Sequence, residues 1–263
     1  MDYIQAIIIA IIEGLTEFLP VSSTGHMILA QSLMNIQDPE FAKTFEIVIQ
    51  LGAIMAVVFM YFRRFFVGLN IYIKLFIAFL PTGIIGFLAY KTIKHYLFNP
   101  FTVSISLIAG GIVLILLDGW SKNKRSRYNE IEDISYTDAF KIGLIQCLSM
   151  VPGVSRSAAT IFGGISSGFD RKQAAEFSFL LAIPTMLAAS GYDLLKERDN
   201  IHKDDLMLLG LGAFIAFVVA LIAIRAFIAF LNRYGFKHFG YYRIILGVIF
   251  LIYALRTGLA LTA

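Results

Sequence analysis

Apolar residues run along most of this chain in stretches long enough to cross a lipid bilayer. A transmembrane helix needs about 20 predominantly apolar residues. Six runs reach or approach that length, at residues 42–62, 68–90, 100–118, 174–195, 206–230 and 240–260. The pattern predicts an all-α, polytopic integral membrane protein with six transmembrane helices.

Two further apolar segments, 3–34 and 138–168, are each interrupted near the middle by proline and small polar residues. The interruptions are LPVSS at 19–23 and PGVS at 152–155. Proline disfavours helix at its own position and at the preceding residue. Irregular backbone at membrane depth survives only inside protein or beside water. Each segment is therefore expected to form two half-helices joined by a turn, as a re-entrant hairpin.

The charged residues between these elements predict the orientation. Basic residues cluster at 63–64, 122–127, 171–172 and 233–237, whereas 196–205 is mixed and 35–40 is acidic. The positive-inside rule places the basic clusters in the cytoplasm. The first hairpin then enters from outside, the second enters from inside, and both termini lie outside. This makes one membrane domain, 1–263, built as an inverted repeat of units 1–118 and 135–260, a plan common in transporters.

The composition agrees with a membrane protein and excludes several other classes. Hydrophobic residues make up 58% of the chain, charged residues 15%, and the mean hydropathy is +0.77. The net charge of +4 fits cytoplasmic loops rather than a nucleic-acid surface. A single cysteine excludes an intramolecular disulfide and a cysteine-rich metal site. The N-terminus lacks the basic region of a signal peptide, so the first helix is expected to be retained.

Two carboxylates stand in the first hairpin. Glu13 and Glu17 are four residues apart on a helix and therefore share a face. They also lie near the C-terminal end of the half-helix, where the helix dipole disfavours negative charge. Such a pair must share a proton or bind a cation, and Mg²⁺ or Ca²⁺ suits carboxylate ligands. Glu46 and Gln50 on the next span are expected to support this site.

Three hydroxyls and an imidazole follow the first interruption. Ser22, Ser23 and Thr24 stand where a helix N-cap belongs, and three hydroxyls exceed what one cap needs. The N-terminus of a helix also presents free N–H groups that bind phosphate. His26 lies on the first turn, where it can act as a general acid or base. A structural role for the histidine remains an equal alternative.

The second hairpin repeats this arrangement and adds a permanent cation. Ser155 stands at the interruption, and Ser157 and Thr160 follow in the first turns. Arg156 supplies a planar, always-charged donor that suits bidentate phosphate binding. If the two hairpins meet, they offer a carboxylate pair, a hydroxyl nucleophile and phosphate-binding groups. The combination predicts a site for a diphosphate.

These residues resemble the undecaprenyl-diphosphate phosphatase family of bacteria, also known through bacitracin resistance. The resemblance covers essentially the whole chain. It rests on EGLTEFLPVSSTGH at 13–26, FEIVIQLGAI at 45–54, PGVSRSAAT at 152–160 and FSFLLAIPTM at 177–186. The motifs show no departure from the family pattern.

The resemblance implies hydrolysis of undecaprenyl diphosphate to the monophosphate carrier used in peptidoglycan synthesis. It implies a divalent cation, the bacterial inner membrane and a site that opens to the outer face. The family's functional positions carry over onto this chain at Glu13, Glu17, Ser23, His26, Ser155, Arg156 and Thr160. The lipid diphosphate is the expected partner, nucleic acid is not expected, and a homodimer is left open.

The mechanism and two rival functions remain open at this point. Ser23 is expected to attack the terminal phosphorus with help from His26, and direct attack by water is the alternative. Type-2 phosphatidic acid phosphatases need a histidine six residues beyond the arginine of their SR motif, where this chain has Phe162. That reading fails. A lipid-carrier flippase or anion transporter would use the same architecture, although it needs no nucleophile.

Overall fold

The computed structural model describes residues 1–34, 36, 39–66, 68–97, 99–197 and 205–257. Within these ranges the regular structure is entirely helical, as predicted. The α-helices are α1 (Tyr3–Thr16), α2 (Ser23–Met34), α3 (Pro39–Met60), α4 (Leu69–Leu97), α5 (Pro100–Ser121), α6 (Tyr136–Gln146), α7 (Arg156–Ser166), α8 (Arg171–Glu197), α9 (Leu206–Tyr234) and α10 (Lys237–Thr257). Short 3-10 helices lie at Phe62–Phe66, Ile131–Asp133 and Cys147–Met150.

Six of these helices are long and apolar enough to cross a membrane. They are α3, α4, α5, α8, α9 and α10, with stretches of mean hydropathy between 1.4 and 2.8. Large apolar side chains such as Phe59, Phe87 and Leu88 point outward and are 64 to 76% exposed. Exposed apolar surface of this extent suits lipid contact rather than water. The prediction of six spans in a multi-pass membrane protein is confirmed.

The two interrupted segments each form two helices, as the proline positions predicted. The first segment gives α1 and α2, and the second gives α6 and α7. Helix α1 begins with a capping box between Asp2 and Gln5, and α6 begins at the N-cap Ser135. Membrane re-entry and the opposed orientation of units 1–118 and 135–260 stay predictions. Residues 258–260 lie outside the described residues, and so do 35, 37, 38 and 198–204 of the two loops used for orientation.

Small residues allow the spans to approach one another closely. A Cβ atom on Gly52 of α3 would lie 2.3 Å from the Ala213 carbonyl oxygen of α9. Gly111 of α5 and Gly240 of α10 face each other in the same way, since a Cβ on either would lie 2.7 Å from the other's carbonyl oxygen. Close backbone approach is how helices gain packing energy in lipid.

An aromatic core joins the first interruption to the long helices. The rings of Phe18 and Phe179 meet edge to face at 5.8 Å, Phe179 meets Phe227 at 6.0 Å, and Phe227 meets Phe239 at 5.3 Å. The first three of these side chains are almost fully buried. Edge-to-face aromatic pairs stabilise such a core beyond their area of contact. Phe18 thereby fixes the chain directly before the interruption against α8.

Candidate active site

The Glu17 carboxylate joins the two hairpins. Its Oε2 accepts a hydrogen bond of 2.6 Å from Ser23 Oγ, and its Oε1 accepts one of 3.0 Å from Arg156 Nη2. The side chains of Glu17 and Arg156 are only 6% and 11% exposed. Ser23 and Arg156, 133 residues apart in sequence, therefore bond to opposite oxygens of one buried carboxylate. The hairpins do meet, and three predicted site residues lie together.

Arg156 is held by further contacts on its other side. Its Nη1 donates to the Ser178 carbonyl at 3.0 Å, Nη2 approaches Met186 Sδ at 3.4 Å, and the guanidinium lies 5.5 Å from the Phe18 ring centroid. The buried Nε has no hydrogen-bond partner. The guanidinium is thus fixed in position and keeps a free N–H donor.

Glu13 lies beside this group with an unused ligand atom. The residue is 3% exposed and lies in electrostatic contact with Glu17 and Glu46. Its Oε1 is buried without a hydrogen-bond partner. An orphaned carboxylate oxygen at this depth is costly unless a proton, a cation or a ligand satisfies it.

The two interruptions share an unusual backbone angle at the serine that directly precedes the following helix. Ser22 and Ser155 have φ angles of 72° and 77°, and within the described ranges they are the only non-glycine residues with positive φ. Each hydroxyl accepts from the backbone N–H three residues later, at Gly25 and Ala158. Ser22 and Ser155 therefore act as N-caps of α2 and α7. Their predicted part in phosphate binding stays a prediction.

Matching the two caps places Ser23 and Arg156 at corresponding positions. Thr24 then corresponds to Ser157, and the carboxylate Glu13 corresponds to the amide Gln146. Gln146 is fully buried, and its Nε2 donates to the hydroxyls of Thr82 and Thr185 at 2.7 and 3.2 Å. The second hairpin thus carries a satisfied neutral group where the first carries an unsatisfied acid.

The remaining hydroxyls of the second hairpin bond to protein. Ser157 Oγ donates to the Leu19 carbonyl at 2.8 Å, across to the first interruption. Thr160 Oγ1 lies 2.9 Å from the Arg156 carbonyl and 2.6 Å from Ser178 Oγ. Both residues are fully buried. In this structure they support the hairpins from within, and their contact with phosphate stays a prediction.

His26 is directed away from Ser23. Its Nδ1 lies 2.7 Å from the Ser22 carbonyl, and its Nε2 lies 2.6 Å from the Tyr242 hydroxyl. The two rings also lie nearly parallel, 8° apart. Both ring nitrogens are thus engaged elsewhere, while Ser23 donates its hydroxyl proton to Glu17. Sequence reasoning missed Tyr242, which is a half-exposed tyrosine in an apolar run and offers no local signal.

A cavity of about 540 Å³ opens beside the carboxylates. Glu13, Ser23 and Thr24 line one part of it. Apolar side chains line much of the rest, among them Met27, Ile28, Ile47, Ile93 and Met150. Gln31 and Gln50 also line it, where Gln31 donates to Glu46 and Gln50 accepts from Ser190 at 2.7 Å. A volume of this size with mixed lining suits a polar head group and the first part of an apolar chain.

The donor set fits a hard divalent cation only in combination with a ligand. Within the part of the chain that the structure describes, no three His, Cys, Asp or Glu side chains are grouped to hold a metal. Glu13 Oε1 is a buried, unpaired carboxylate oxygen of the type that such ions prefer. Mg²⁺ is commonly held by one or two carboxylates and substrate phosphates. Glu13 and Glu17 fit that arrangement.

Comparisons with known proteins found a matching family model and several similar relatives. The family model described as "Bacitracin resistance protein BacA" matches residues 6–249. The undecaprenyl-diphosphatase of Wolinella succinogenes is 53% identical over 253 residues, which cover 96% of this chain and 98% of the relative. That of Bdellovibrio bacteriovorus is 51% identical over 258 residues, 98% of each chain. That of Flavobacterium psychrophilum is 52% identical over 255 residues, 96% of each chain.

Proposed function

Because the chain belongs to the bacitracin resistance protein BacA family, we propose that the site formed by Glu13, Glu17, Ser23 and Arg156 performs the reaction for which its relatives are named. The protein hydrolyses undecaprenyl diphosphate to undecaprenyl phosphate and inorganic phosphate. This reaction recycles the lipid carrier of peptidoglycan synthesis and confers resistance to bacitracin. The observation that carries the assignment of residues is the Glu17 carboxylate, shared by Ser23 and Arg156.

Glu17 is the general base of the proposed mechanism. Its Oε2 already accepts the Ser23 hydroxyl proton at 2.6 Å, within the reach that proton transfer requires. Ser23 Oγ attacks the terminal phosphorus as this proton passes to Glu17, and undecaprenyl phosphate leaves. Water then hydrolyses the phosphoserine to release inorganic phosphate. The sequence analysis expected His26 to assist this proton transfer, whereas the proposed mechanism assigns it to Glu17.

Arg156 supplies permanent positive charge to the phosphate. Its free Nε–H and its fixed guanidinium offer donors to the oxygens on which charge accumulates. A role for His26 in proton transfer remains a proposal that requires its ring to leave Ser22 and Tyr242. We propose that hydroxyl residues in and next to the first turns of α2 and α7 shape and line the phosphate site. They are Ser22, Thr24, Ser155, Ser157 and Thr160.

A divalent cation, Mg²⁺ or Ca²⁺, would be held by Glu13 and Glu17 together with phosphate oxygens. When bound, the ion neutralises charge on the diphosphate and polarises its P–O bonds. Among the described residues, Glu13 Oε1 has no hydrogen-bond partner, and each Glu17 oxygen accepts only one hydrogen bond, which leaves both carboxylates with lone pairs for an ion. We also propose that the protein lies in the bacterial inner membrane and that the cavity opens to its outer face.

Phosphate release from undecaprenyl diphosphate by the purified protein in detergent tests the reaction. A flippase or transporter needs a sealed membrane, so hydrolysis in detergent separates an enzyme from either. Ser23→Ala and Arg156→Ala should each reduce kcat at least about 100-fold, since each removes a group that acts in the transition state. Ser166→Ala, an exposed serine on the same helix as Arg156, is the matched control.

The nucleophile is tested by the chemical fate of Ser23. Acid quenching during turnover, followed by peptide mass spectrometry, should find phosphate on Ser23 of the parent protein. If Ser23→Ala turns over at a near-normal rate while Arg156→Ala does not, water is the nucleophile and Ser23 only binds phosphate. Loss of phosphate release on chelation by EDTA, and its recovery with Mg²⁺ or Ca²⁺, tests the cation.

A further inference from the structure

Arg243 of α10 is the most deeply buried charged side chain in the described part of the chain, with no exposed surface. All five of its N–H donors are used, and every acceptor is a backbone carbonyl. Nε donates to Leu107 at 3.4 Å. Nη1 donates to Pro20 at 3.0 Å and Val154 at 2.9 Å, and Nη2 to Ser106 at 3.1 Å and Gly153 at 2.7 Å.

The carbonyls of the two interruptions are the informative partners. Pro20 and Gly153 occupy corresponding positions, each two residues before a capping serine of positive φ. One guanidinium therefore donates to the carbonyls at corresponding positions of the two interruptions. Irregular backbone leaves carbonyls without helical partners, and at membrane depth these must be satisfied by other groups. Arg243 donates the missing hydrogen bonds to carbonyls of both turns.

The carbonyls that Arg243 binds lie close in sequence to the residues proposed to react. Pro20 lies three residues before Ser23, and Val154 lies two residues before Arg156. Ser22 lies between Pro20 and Ser23, and Ser155 lies between Val154 and Arg156. The strained backbone of these two serines persists only when the surrounding structure fixes it. A change in the placement of either turn would move Ser23 or Arg156 off the shared carboxylate.

We propose that Arg243 is a positioning residue, which holds both interruptions in the placement that brings Ser23 and Arg156 onto Glu17. This proposal rests on the proposed function for its catalytic consequence, although the anchoring itself does not. No contact joins Arg243 to the Glu17 carboxylate, and the residue acts through the backbone. A lysine cannot replace it, because an ammonium has three donors and no planar fork.

Arg243→Lys tests the proposal, with Arg225→Lys as its matched control. Arg225 is an exposed arginine on the neighbouring helix α9, so its replacement should leave activity at the parent level. Arg243→Lys should lower kcat about 100-fold, the cost of a displacement of about 1 Å at a reacting group. The KM for undecaprenyl diphosphate should change less than kcat, because the apolar lining of the cavity that binds the lipid lies outside the two turns.

Gly110→Ala perturbs the same guanidinium without removing it. A Cβ on Gly110 would lie 2.1 Å from Arg243 Nη2, so the side chain must shift. Gly119→Ala on the same helix is the control, since a Cβ there meets nothing within 4 Å. We expect kcat to fall at least about tenfold in Gly110→Ala and to stay at the parent level in Gly119→Ala. This pair carries the test if Arg243→Lys does not fold.

Hydrogen exchange measured by mass spectrometry reports the anchoring without any assay of the reaction. Peptides that cover 20–23 and 153–156 should both exchange faster in Arg243→Lys and Gly110→Ala, and neither should change in the controls. A kcat within about threefold of the parent in both test variants would overturn the positioning role. Faster exchange at only one interruption, or at neither, would overturn the shared anchor. A parent protein that releases no phosphate would instead refute the proposed function and leave the exchange result to decide the anchoring.

Discussion

The replacement Glu17→Gln isolates the charge on the carboxylate that joins the two hairpins. The side chain keeps its shape and its position between Ser23 and Arg156. A glutamine, however, has one acceptor oxygen and one NH₂ group, which can only donate. With the amide oxygen toward the guanidinium, the NH₂ group faces the Ser23 hydroxyl, which must then accept a hydrogen bond instead of donating one. Both contacts, at 2.6 and 3.0 Å in the parent, can then persist, but the hydrogen bond to Ser23 is reversed and no acceptor remains for the serine proton.

Two terms set the expected size of the effect. Loss of a general base lowers the rate about 100- to 10,000-fold, which corresponds to roughly 3 to 5 kcal/mol of activation free energy. Removing one partner of a buried ion pair destabilises the folded state by about 3 to 5 kcal/mol. Arg156 keeps the Ser178 carbonyl as a partner, so the stability loss should lie at the lower end of that range. We therefore expect kcat/KM to fall about 1,000-fold in protein that still folds.

Steady-state phosphate release in detergent across a range of pH measures this prediction. Glu40→Gln, at an exposed position of α3, is the matched control and should behave as the parent. A melting curve for each variant separates loss of fold from loss of chemistry. If Glu17→Gln keeps more than about a tenth of the parent kcat/KM, Glu17 is not the base and the reasoning from the shared carboxylate fails.

Three further predictions concern the fold around the site. Ser155→Ala removes an N-cap and leaves an alanine in a strained backbone of positive φ, so the free energy of unfolding should fall by about 1 kcal/mol. Ser155→Gly should be nearly neutral in the same thermal melt, because glycine tolerates this φ. Equal losses in the two variants would refute the strain argument. Gly52→Ala should destabilise the protein by about 1 to 3 kcal/mol through its clash with the Ala213 carbonyl, while Gly210→Ala, which meets nothing within 4 Å, should not. Asp138, at the start of α6, is buried, which raises its pKa, but hydrogen bonds from a tyrosine, a lysine and a serine outweigh this and hold the pKa below its ordinary value. Its ionised form stabilises the fold at neutral pH, so Asp138→Asn should lower the melting temperature at pH 7, and the difference should disappear as the pH falls through the lowered pKa; a difference that persists in acid would contradict this.

The sequence was sufficient for the six spans and for the two interrupted segments. Length and hydropathy determine which helices can cross a bilayer, and proline at 20 and 152 disfavours continuous helix whatever surrounds it. The sequence also led to the hypothesis that Ser23 and Arg156 share one site if the two hairpins meet, and in the structure both bond to Glu17. The spans and the interruptions follow local rules that a single sequence displays, whereas the contact between the hairpins is tertiary.

The directions of individual side chains could not be predicted in this way. Helical spacing places His26 close to Ser23, but its ring nitrogens bond to Ser22 and to Tyr242, which lies 216 residues away. Arg243 stands in an apolar run like any residue that anchors a helix at an interface. Its acceptors are backbone carbonyls, which every residue possesses, so no pattern of residue types marks them. Such roles depend on tertiary contacts alone.

The corresponding positions of Ser23 and Arg156 have a consequence for how such a site can arise. In an assembly of two identical chains, every substitution occurs twice, so both positions would be serine or both would be arginine. Two serines would leave the carboxylate without a cation, and two arginines would leave it without a nucleophile. Because the two hairpins are separate segments of one chain, each can change independently, and the shared carboxylate receives a hydroxyl from one and a guanidinium from the other. A single chain that carries both hairpins can therefore supply the asymmetry that the chemistry needs, whereas an assembly of identical chains cannot.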